Sequence, residues 1–376
     1  NKRGKIKKLP KGSFKTTKIQ VIWENFFMGF NQGGKLTELP DQAFDTAMIK
    51  KAENNFFAYF NQEGNVEYIP KSSFKLSNLS QVGNDCFRSF NDEGNLMSLP
   101  EYSFNLETIY SAGDGFFQNF NRRGNLETLP KDSFSFSNLK TVTNSFFEGF
   151  NEGGKLQSLP ENSFDLSKIV TVGNDFFSDF NAQGEITFLP ENSFDLSNIA
   201  EIGKNFFAWF NRGGKLKTLP KKSFRIPKIK ESWSDFFTSF NEGGKLWQLP
   251  EGSFDTSNLS IINDWFFTAF NRSGNLVELP PGSFKIPNLT EVPNDFFASF
   301  NEGWSLKSLP ETSFDTSQIQ KVGKGFFQWF NANGALIFLP IHSFKTEKIQ
   351  TVGNDFFASF NEGGSLKSLP EGSFIS

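Results

Sequence analysis

The feature that most constrains this chain is a period of thirty residues that runs from end to end. Proline recurs at every thirtieth residue from Pro10 to Pro370, and asparagine recurs with the same period, without insertion or deletion. A fixed period of this length is typical of solenoids, propellers and arrays. A propeller closes after about 4–8 blades, whereas this chain holds twelve complete repeats and a partial thirteenth, 361–376. The sequence therefore predicts one open solenoid over residues 1–376, with no separate domains.

Phenylalanine marks the predicted core of this solenoid. Of the 51 phenylalanines, 48 occupy four positions of the repeat. In the repeat that begins at Asn151 these are Phe164, Phe176, Phe177 and Phe180. Burying a phenylalanine stabilises a fold by roughly 1.5–3 kcal/mol, but ordering each residue costs about 1 kcal/mol or more. One repeat alone should not fold, so we expect the rings to pack on their own copies in neighbouring coils.

Each repeat also contains two similar halves. Leu156 and Leu159, followed by proline, are matched thirteen residues later by Ile169 and Val172, followed by glycine. Each half is typical of a short extended segment that ends at a breaker residue. The apolar spacing of three is not the alternation of a long strand. We therefore expect two parallel β ladders per coil, with strands of two to four residues.

The segment 174–181, NDFFSDFN, predicts a short helix or 3-10 turn in each coil. Asn174 is a suitable N-cap, Asp175 suits the positive helix terminus, and the phenylalanines share one face. The recurring asparagine, represented by Asn151 and Asn181, can bond to backbone groups of its own turn and of the next coil. We expect this column to be a structural ladder rather than a ligand site.

The string LPEGSFDTSNL at 249–259 resembles the repeats of BspA-type leucine-rich-repeat surface proteins of bacteria. The resemblance covers every repeat, and it implies a leucine-rich-repeat-like solenoid that is secreted or anchored at the cell surface and acts in adhesion and recognition. The chain departs from that pattern in three ways. Its repeat is longer than the roughly 20–29 residues of ordinary leucine-rich repeats, the paired phenylalanine is unusual, and asparagine stands where the family often has cysteine.

Composition narrows the possible partners and the location. The formal net charge is −3 and the charges are interspersed, which gives no basic patch for nucleic acid. No apolar run approaches the roughly eighteen residues of a membrane span. The chain opens without Met or a signal peptide and ends within a repeat, so we expect a mature or excised piece of a longer protein. The resemblance favours an extracellular or cell-surface location.

The residue types needed for catalysis and metal binding are scarce. Cys86 is the single cysteine and His342 the single histidine, so neither a disulfide nor a metal cluster of these residues can form within the chain. Cys86 replaces a core phenylalanine, which predicts a buried thiol. One column holds Asp45, Asp165, Asp195, Asp255 and Asp315, but it also holds Lys75, Arg225, Lys285 and Lys345, which argues against a calcium ladder. The sequence predicts no enzyme, no cofactor and no metal.

Function should then lie at variable, outward positions. Two such positions separate the aliphatic residues of the first extended segment, and their aromatic members are Tyr68, Phe188, Trp247 and Phe338. A second set flanks the predicted helix and comprises Tyr59, Trp209 and Trp329, with Trp23 and Trp233 at the preceding turn. Trp and Tyr are enriched in binding hot spots. The alternative is that each ring only covers side chains of the neighbouring coil.

Two functions of different classes fit this sequence. The first is a recognition module that binds a protein or glycan on a target surface. The second is a structural subunit of an extracellular filament or sheath, whose copies stack end to end. The terminal repeats resemble interior ones and lack the polar faces of capping repeats, which favours stacking because soluble solenoids need such caps.

Overall fold

The computed structural model consists of two compact units, residues 1–196 and 197–376. It describes all residues except 72, 75, 102, 105, 132, 162, 192, 222, 285, 304, 312, 313, 315, 342, 372, 375 and 376, and except the side chains of 135, 225 and 255. Within each unit, residues thirty apart pair in parallel. Each unit is therefore a parallel solenoid with one coil per repeat, as predicted. That the two units form a single solenoid stays a prediction.

Each coil can contribute to three short parallel ladders. Ladder A consists of single-residue bridges through Tyr68 and its equivalents. Ladder B runs through the strands β1 Phe14–Lys15, β3 Phe44–Asp45, β7 Phe134–Ser135, β9 Phe164–Asp165, β11 Phe224–Arg225 and β12 Phe254–Asp255. Ladder C runs through β2 Val21–Ile22, β4 Lys51–Ala52, β5 Gln81–Val82, β6 Ser111–Ala112, β8 Thr141–Val142, β10 Thr171–Val172, β13 Glu291–Val292, β14 Lys321–Val322 and β15 Thr351–Val352. All strands are two residues long, the lower end of the predicted range.

Ladder B is the one that the sequence reasoning did not predict. In the coil of Asn151, the ladder B strand begins at Phe164. The repeat pattern predicts a turn at this residue. Ser163 caps that turn by donating its hydroxyl hydrogen to the carbonyl oxygen of Pro160. Proline has no N–H to donate to a neighbouring coil. Backbone pairing between coils therefore stops at Pro160 and resumes after the turn, at Phe164. The prediction of two ladders is therefore corrected to three.

The predicted helix is also corrected, because the segment 174–181 is a series of turns. The N–H of Phe147 donates to the carbonyl oxygen of Phe176 in the next coil at 3.1 Å. Between such inter-coil bonds, other N–H groups close local turns, as when Phe180 donates to the carbonyl oxygen of Phe177 at 3.3 Å. The described residues contain no helix anywhere.

Coil spacing explains why a helix does not form. Paired strands stack about 4.8 Å apart, whereas a helix with its side chains is about 10 Å wide. A helix in every coil would need about twice the strand spacing on that side, which only a strongly curved solenoid provides. Here the backbone bonds to adjacent coils instead. This arrangement requires left-handed residues every fourth position, such as Asp175 at φ 59° and Asp179 at φ 53°.

The recurring asparagine forms a buried ladder of side-chain amides. Asn121 donates from Nδ2 to Oδ1 of Asn151 at 2.9 Å and accepts at Oδ1 from Asn91 at 2.9 Å. The same amide also bonds to both the carbonyl oxygen and the N–H of Leu126. Asn151 continues this pattern to Asn181 at 3.1 Å. Each amide thus joins its own turn to the coils on either side.

The ladder depends on a glycine three residues after the asparagine. A Cβ at Gly94 would lie 2.3 Å from the backbone oxygen of Asn61, so no larger residue fits there without moving a coil. Trp304 occupies the equivalent position in the sequence. Asn271 of the preceding coil donates to the hydroxyl of Ser305 at 2.8 Å, and Gly303 has φ 106°. The regular amide pairing is therefore interrupted at the one coil that lacks the glycine.

Four phenylalanine columns fill the interior of each unit. Along the columns the rings stack, with centroid distances of 5.2 Å for Phe134–Phe164 and 5.4 Å for Phe150–Phe180. Within a coil the rings meet edge to face, as for Phe177–Phe180 at 5.6 Å and 81°. Both geometries are favoured by the ring quadrupole. The core is thus a continuous aromatic lattice in each unit.

Candidate functional site

Ladder A, taken together with the residue just before each bridge, holds the outward side chains that the sequence singles out. Trp247 is such a preceding residue, next to the bridged Gln248. Val66 and Ile69 are buried, so Glu67 and Tyr68 between them point away from the core. The exposed fractions are 54% for Tyr68, 51% for Phe188, 43% for Trp247 and 49% for Phe338. A large aromatic side chain on a hydrogen-bonded backbone presents apolar area with little loss of freedom on binding.

Within each unit, the aromatic side chains of this set are separated along the coils rather than gathered in one place. Tyr68 and Phe188 lie four coils apart in the first unit, roughly 19 Å at the spacing of paired strands. Ser98, Thr128 and Ser158 occupy the ladder A positions between them. Trp247 and Phe338, in the second unit, are three repeats apart. Apolar neighbours accompany some of the rings, since Ile337 is exposed beside Phe338 and Met97 lies next to Tyr68.

Two open grooves lie next to Tyr68. The first has a volume of about 520 Å³ and is lined by Tyr68, by Pro70 and by the exposed ion pair of Lys8 and Glu38, 3.2 Å apart. The second, of about 280 Å³, is lined in part by Glu67 and Met97. The tyrosine hydroxyl lies 3.7 Å from the sulfur of Met97. Both volumes are close to the range of small-ligand sites, which is about 300–1,000 Å³.

The aromatic side chains of the second set stand on the turns. Tyr59, Trp209 and Trp329 have φ of 57°, 57° and 53°. Tyr59 and Trp209 are half-buried, whereas Trp329 is exposed. The guanidinium of Arg212 lies 5.9 Å from the ring centroid of Trp209, within reach of a cation–π interaction. These rings thus occupy a left-handed position that favours glycine.

Trp265 and Ile261 are among the exposed apolar residues that the sequence reasoning missed. Trp265 lies in the turn segment that had been interpreted as a helix, and Ile261 lies on the outer side of the coil just before it. A signal was available, since the Trp265 column otherwise contains only Asn, Asp, Ser and Gly. Those residues are typical of left-handed backbone, and a tryptophan among them is conspicuous.

The chemically reactive residue types are placed as follows. Cys86 is fully buried, and burial raises the pKa of its thiol well above the ordinary value. The thiol is therefore protonated at neutral pH. His342 and Asp315 lie outside the described residues. Elsewhere, the described residues contain no group of three or more His, Cys, Asp or Glu side chains arranged to hold a metal ion.

The described part of the chain contains no helical segment with the length and hydrophobicity of a membrane span.

No protein-family model matches the chain, and no curated protein is found to match it. Among solved structures, a leucine-rich repeat protein from Bacteroides ovatus is similar at 11% identity and a TM-score of 0.30, over 93% of this chain and 87% of that one. A leucine-rich repeat protein from Eubacterium ventriosum is similar at 12% identity and a TM-score of 0.33, over 95% and 83%. The pneumococcal vaccine antigen PcpA is similar at 16% identity and a TM-score of 0.31, over 96% and 79%.

These solved structures include bacterial leucine-rich-repeat proteins, the class that the sequence motif resembles.

Proposed function

We propose that this chain is a non-enzymatic, extracellular repeat protein of a bacterial surface that recognises a protein or glycan on a target surface. The observation that supports this most is the exposure of Tyr68, Phe188, Trp247 and Phe338 on ladder A. Large exposed rings on this face add nothing to the buried core. They are the side chains that most often anchor an interface.

The backbone of ladder A makes such anchors effective. Tyr68 pairs through its backbone with Glu38 on one side and Ser98 on the other. A side chain on a paired segment loses less conformational freedom on binding than one on a mobile loop. The face can therefore vary its side chains from coil to coil while its scaffold stays fixed, which suits recognition.

Replacing the four ladder A aromatics with serine is expected to reduce adhesion several-fold without changing the fold. Beads coated with residues 1–376 or with the variant are counted on monolayers of epithelial cells and on bacterial lawns. The matched control replaces four exposed apolar residues elsewhere with serine, namely Met28, Tyr110, Val170 and Ile341. Equal adhesion of the two variants would remove ladder A as the binding face.

The second candidate function is a subunit of an extracellular filament whose copies stack end to end. Val352, Phe357 and Leu369 are exposed, whereas the equivalents of the preceding coil, such as Val322 and Phe327, are buried. At the other end Ile6 and Phe26 are exposed as well. A further coil, from the same chain or from another copy, would bury this surface and complete the ladders.

Under this alternative, a polypeptide of residues 1–376 is expected to associate end to end. Sedimentation velocity at increasing concentration should show species heavier than a monomer. Val352→Glu together with Leu369→Glu should shift the distribution towards monomer, because each places a charge on the exposed coil face. A wild-type monomer at high micromolar concentration would exclude self-stacking of this segment and leave the recognition proposal standing.

A further inference from the structure

The first repeat carries a charge that the rest of the chain does not share. Residues 1–30 contain eight basic residues and one acid, Glu24, which gives a formal net charge of +7. The whole chain has a formal net charge of −3, so the remaining residues carry −10. Charges are interspersed over the chain as a whole but not in this repeat. A dense basic segment of this kind is typical of sites that bind polyanions.

Five basic residues occupy the first turn and the extended segments that follow it in the first two coils. We name Lys2, Arg3, Lys5, Lys7 and Lys35 the basic stripe. The N–H of Lys35 donates to the carbonyl oxygen of Gly4 at 3.2 Å, which places Lys35 beside Lys5. Paired segments lie roughly 4.8 Å apart, and two residues of an extended segment span roughly 7 Å. The charges of Lys5, Lys7 and Lys35 are therefore within about one Debye length of each other and act together.

The exposure of these lysines follows from the local backbone. In the second coil Leu36 is fully buried, whereas Lys35 and Thr37 on either side of it are exposed. Lys5 and Lys7 are the equivalents of these two residues and are exposed as well. Successive side chains of an extended segment point to opposite sides, so the lysines point outward whether or not another coil covers the first one.

The acidic residues of the first two coils lie beside groups outside the stripe. These acids and their neighbours are Glu38 with Lys8 at 3.2 Å, Glu53 with Lys51 at 2.8 Å, Asp45 with its register partner Lys15, Asp41 with Lys8 in the groove beside Tyr68, and Glu24 with Asn54. Within the second coil, the residues thirty positions after Lys2, Arg3 and Lys7 are uncharged. Glu63 and Glu67 of the third coil are two coil steps from the first, roughly 10 Å, where physiological salt screens exposed charges. The stripe is thus a local excess of positive charge.

The opposed lysines of the stripe carry a cost that the following coils avoid. Like charges directly opposite each other on paired segments are destabilising, and Lys5 lies opposite Lys35. In the third to fifth coils the same column holds Asn65, Asn95 and Asn125, whose amides bond to one another at 3.2 Å and 2.8 Å. An anionic chain bound along the stripe would neutralise the opposed lysines.

We propose that the basic stripe binds a polyanionic glycan, a polysaccharide with sulfate or carboxylate groups along its chain. This site goes beyond the aromatic face proposed above and does not depend on it. Lysine and arginine form charge-assisted hydrogen bonds with such groups, which are shorter and stronger than neutral ones. A linear polyanion can meet several members of the stripe at once.

Other polyanions match the stripe less well. Sites for single-stranded nucleic acid combine a basic groove with aromatic side chains on which the bases stack, and residues 1–13 contain no aromatic residue. An anionic membrane is a broad surface, and it would also meet the carboxylates of Glu38 and Asp41, which are exposed in the second coil. A single polysaccharide chain can follow the stripe and avoid these carboxylates.

Three substitutions remove most of the charge of the stripe, and each introduces the residue type of an equivalent coil. They are Lys5→Asn and Lys35→Asn, as at Asn65, and Lys7→Thr, as at Thr37. Dissociation constants for a fluorescent heparin decasaccharide are measured by anisotropy, with an uncharged dextran oligosaccharide as the neutral probe. The triple variant should bind the heparin probe about tenfold more weakly than the wild type. Raised salt should weaken binding by the wild type.

The control variant lowers the net charge equally outside the stripe, through Lys321→Thr, Lys324→Asn and Lys348→Asn. The equivalents are Thr351, Asn354 and Asn288. This variant should bind the heparin probe as the wild type does, since Lys321 and Lys324 already lie beside Glu291 and Asp355, at 3.2 Å and 3.8 Å.

The proposal is overturned if the two triple variants bind the heparin probe equally. It is also overturned if the wild type binds a single-stranded oligonucleotide or phosphatidylserine vesicles more tightly than the heparin probe. Bead adhesion through the aromatic side chains of ladder A is measured on the same variants, and each proposal can fail while the other stands.

Discussion

Phe177→Ala is expected to destabilise its own coil and the adjacent coils by about 3–5 kcal/mol. Phe177 is fully buried and contacts rings in three coils, with centroid distances of 5.7 Å to Phe147 and 4.9 Å to Phe194. Truncation therefore opens a cavity that neighbouring rings cannot fill without leaving their stacks. Because solenoid stability is a sum over nearest neighbours, hydrogen exchange should accelerate only near the altered coil.

The matched control is Phe188→Ala, one coil further along, where the ring is exposed. It removes the same atoms, and its effect on the free energy of unfolding should stay within about 0.5 kcal/mol, as for most surface substitutions. Exchange that rises uniformly along the chain in the Phe177 variant would contradict nearest-neighbour stability. It would indicate a single cooperative fold instead.

The period and the core could be predicted from the sequence because they depend on repetition alone. A ring that recurs every thirty residues in a chain without insertions must lie beside its copies if the units stack. The parallel direction of the ladders follows for the same reason, since every coil enters the stack with the same polarity. These predictions required no knowledge of the local backbone.

The turn segment could not be predicted in the same way. In 174–181 the cap residue, the acidic second position and the spacing of the phenylalanines all satisfy the rules for an isolated helix. Those rules count only hydrogen bonds within the segment. In this protein N–H groups of the turn segment bond to the next coil instead, as that of Phe147, the equivalent of Phe177, does. These bonds between coils favour turns over a helix.

The candidate site likewise contains residues whose exposure could be predicted from the sequence and one residue whose position could not. Exposure of Tyr68 and Phe188 followed from variation between two fixed aliphatic positions, a pattern that is visible in the sequence. Trp265 was missed because it lay in the assumed helix, where its left-handed φ could not be anticipated. Once the position is known to be left-handed, the tryptophan is the residue that departs from the column.

The second large effect is expected at the buried amide ladder, for Asn121→Leu. Leucine is similar in volume but removes four hydrogen bonds. Nδ2 of Asn91 and Oδ1 of Asn151 keep their bonds within their own turns, whereas the N–H and carbonyl oxygen of Leu126 lose the bonds to this amide. Each buried group left unpaired costs about 1–3 kcal/mol. The free energy of unfolding should therefore fall by about 4 kcal/mol, measured by denaturant titration.

Asn125→Leu is the control for Asn121→Leu. It removes the same amide group outside the buried ladder, so the difference between the two measures the contribution of the ladder itself. Asn125 donates to Oδ1 of Asn95 at 2.8 Å in a second, half-buried column, where water can replace the lost bond. Its substitution should cost well under half as much as Asn121→Leu. Equal effects would mean that the coils are held by packing and backbone pairing alone. A much larger effect at Asn121 would mean that the recurring asparagine is required because no apolar side chain can pair with both neighbouring coils and its own turn.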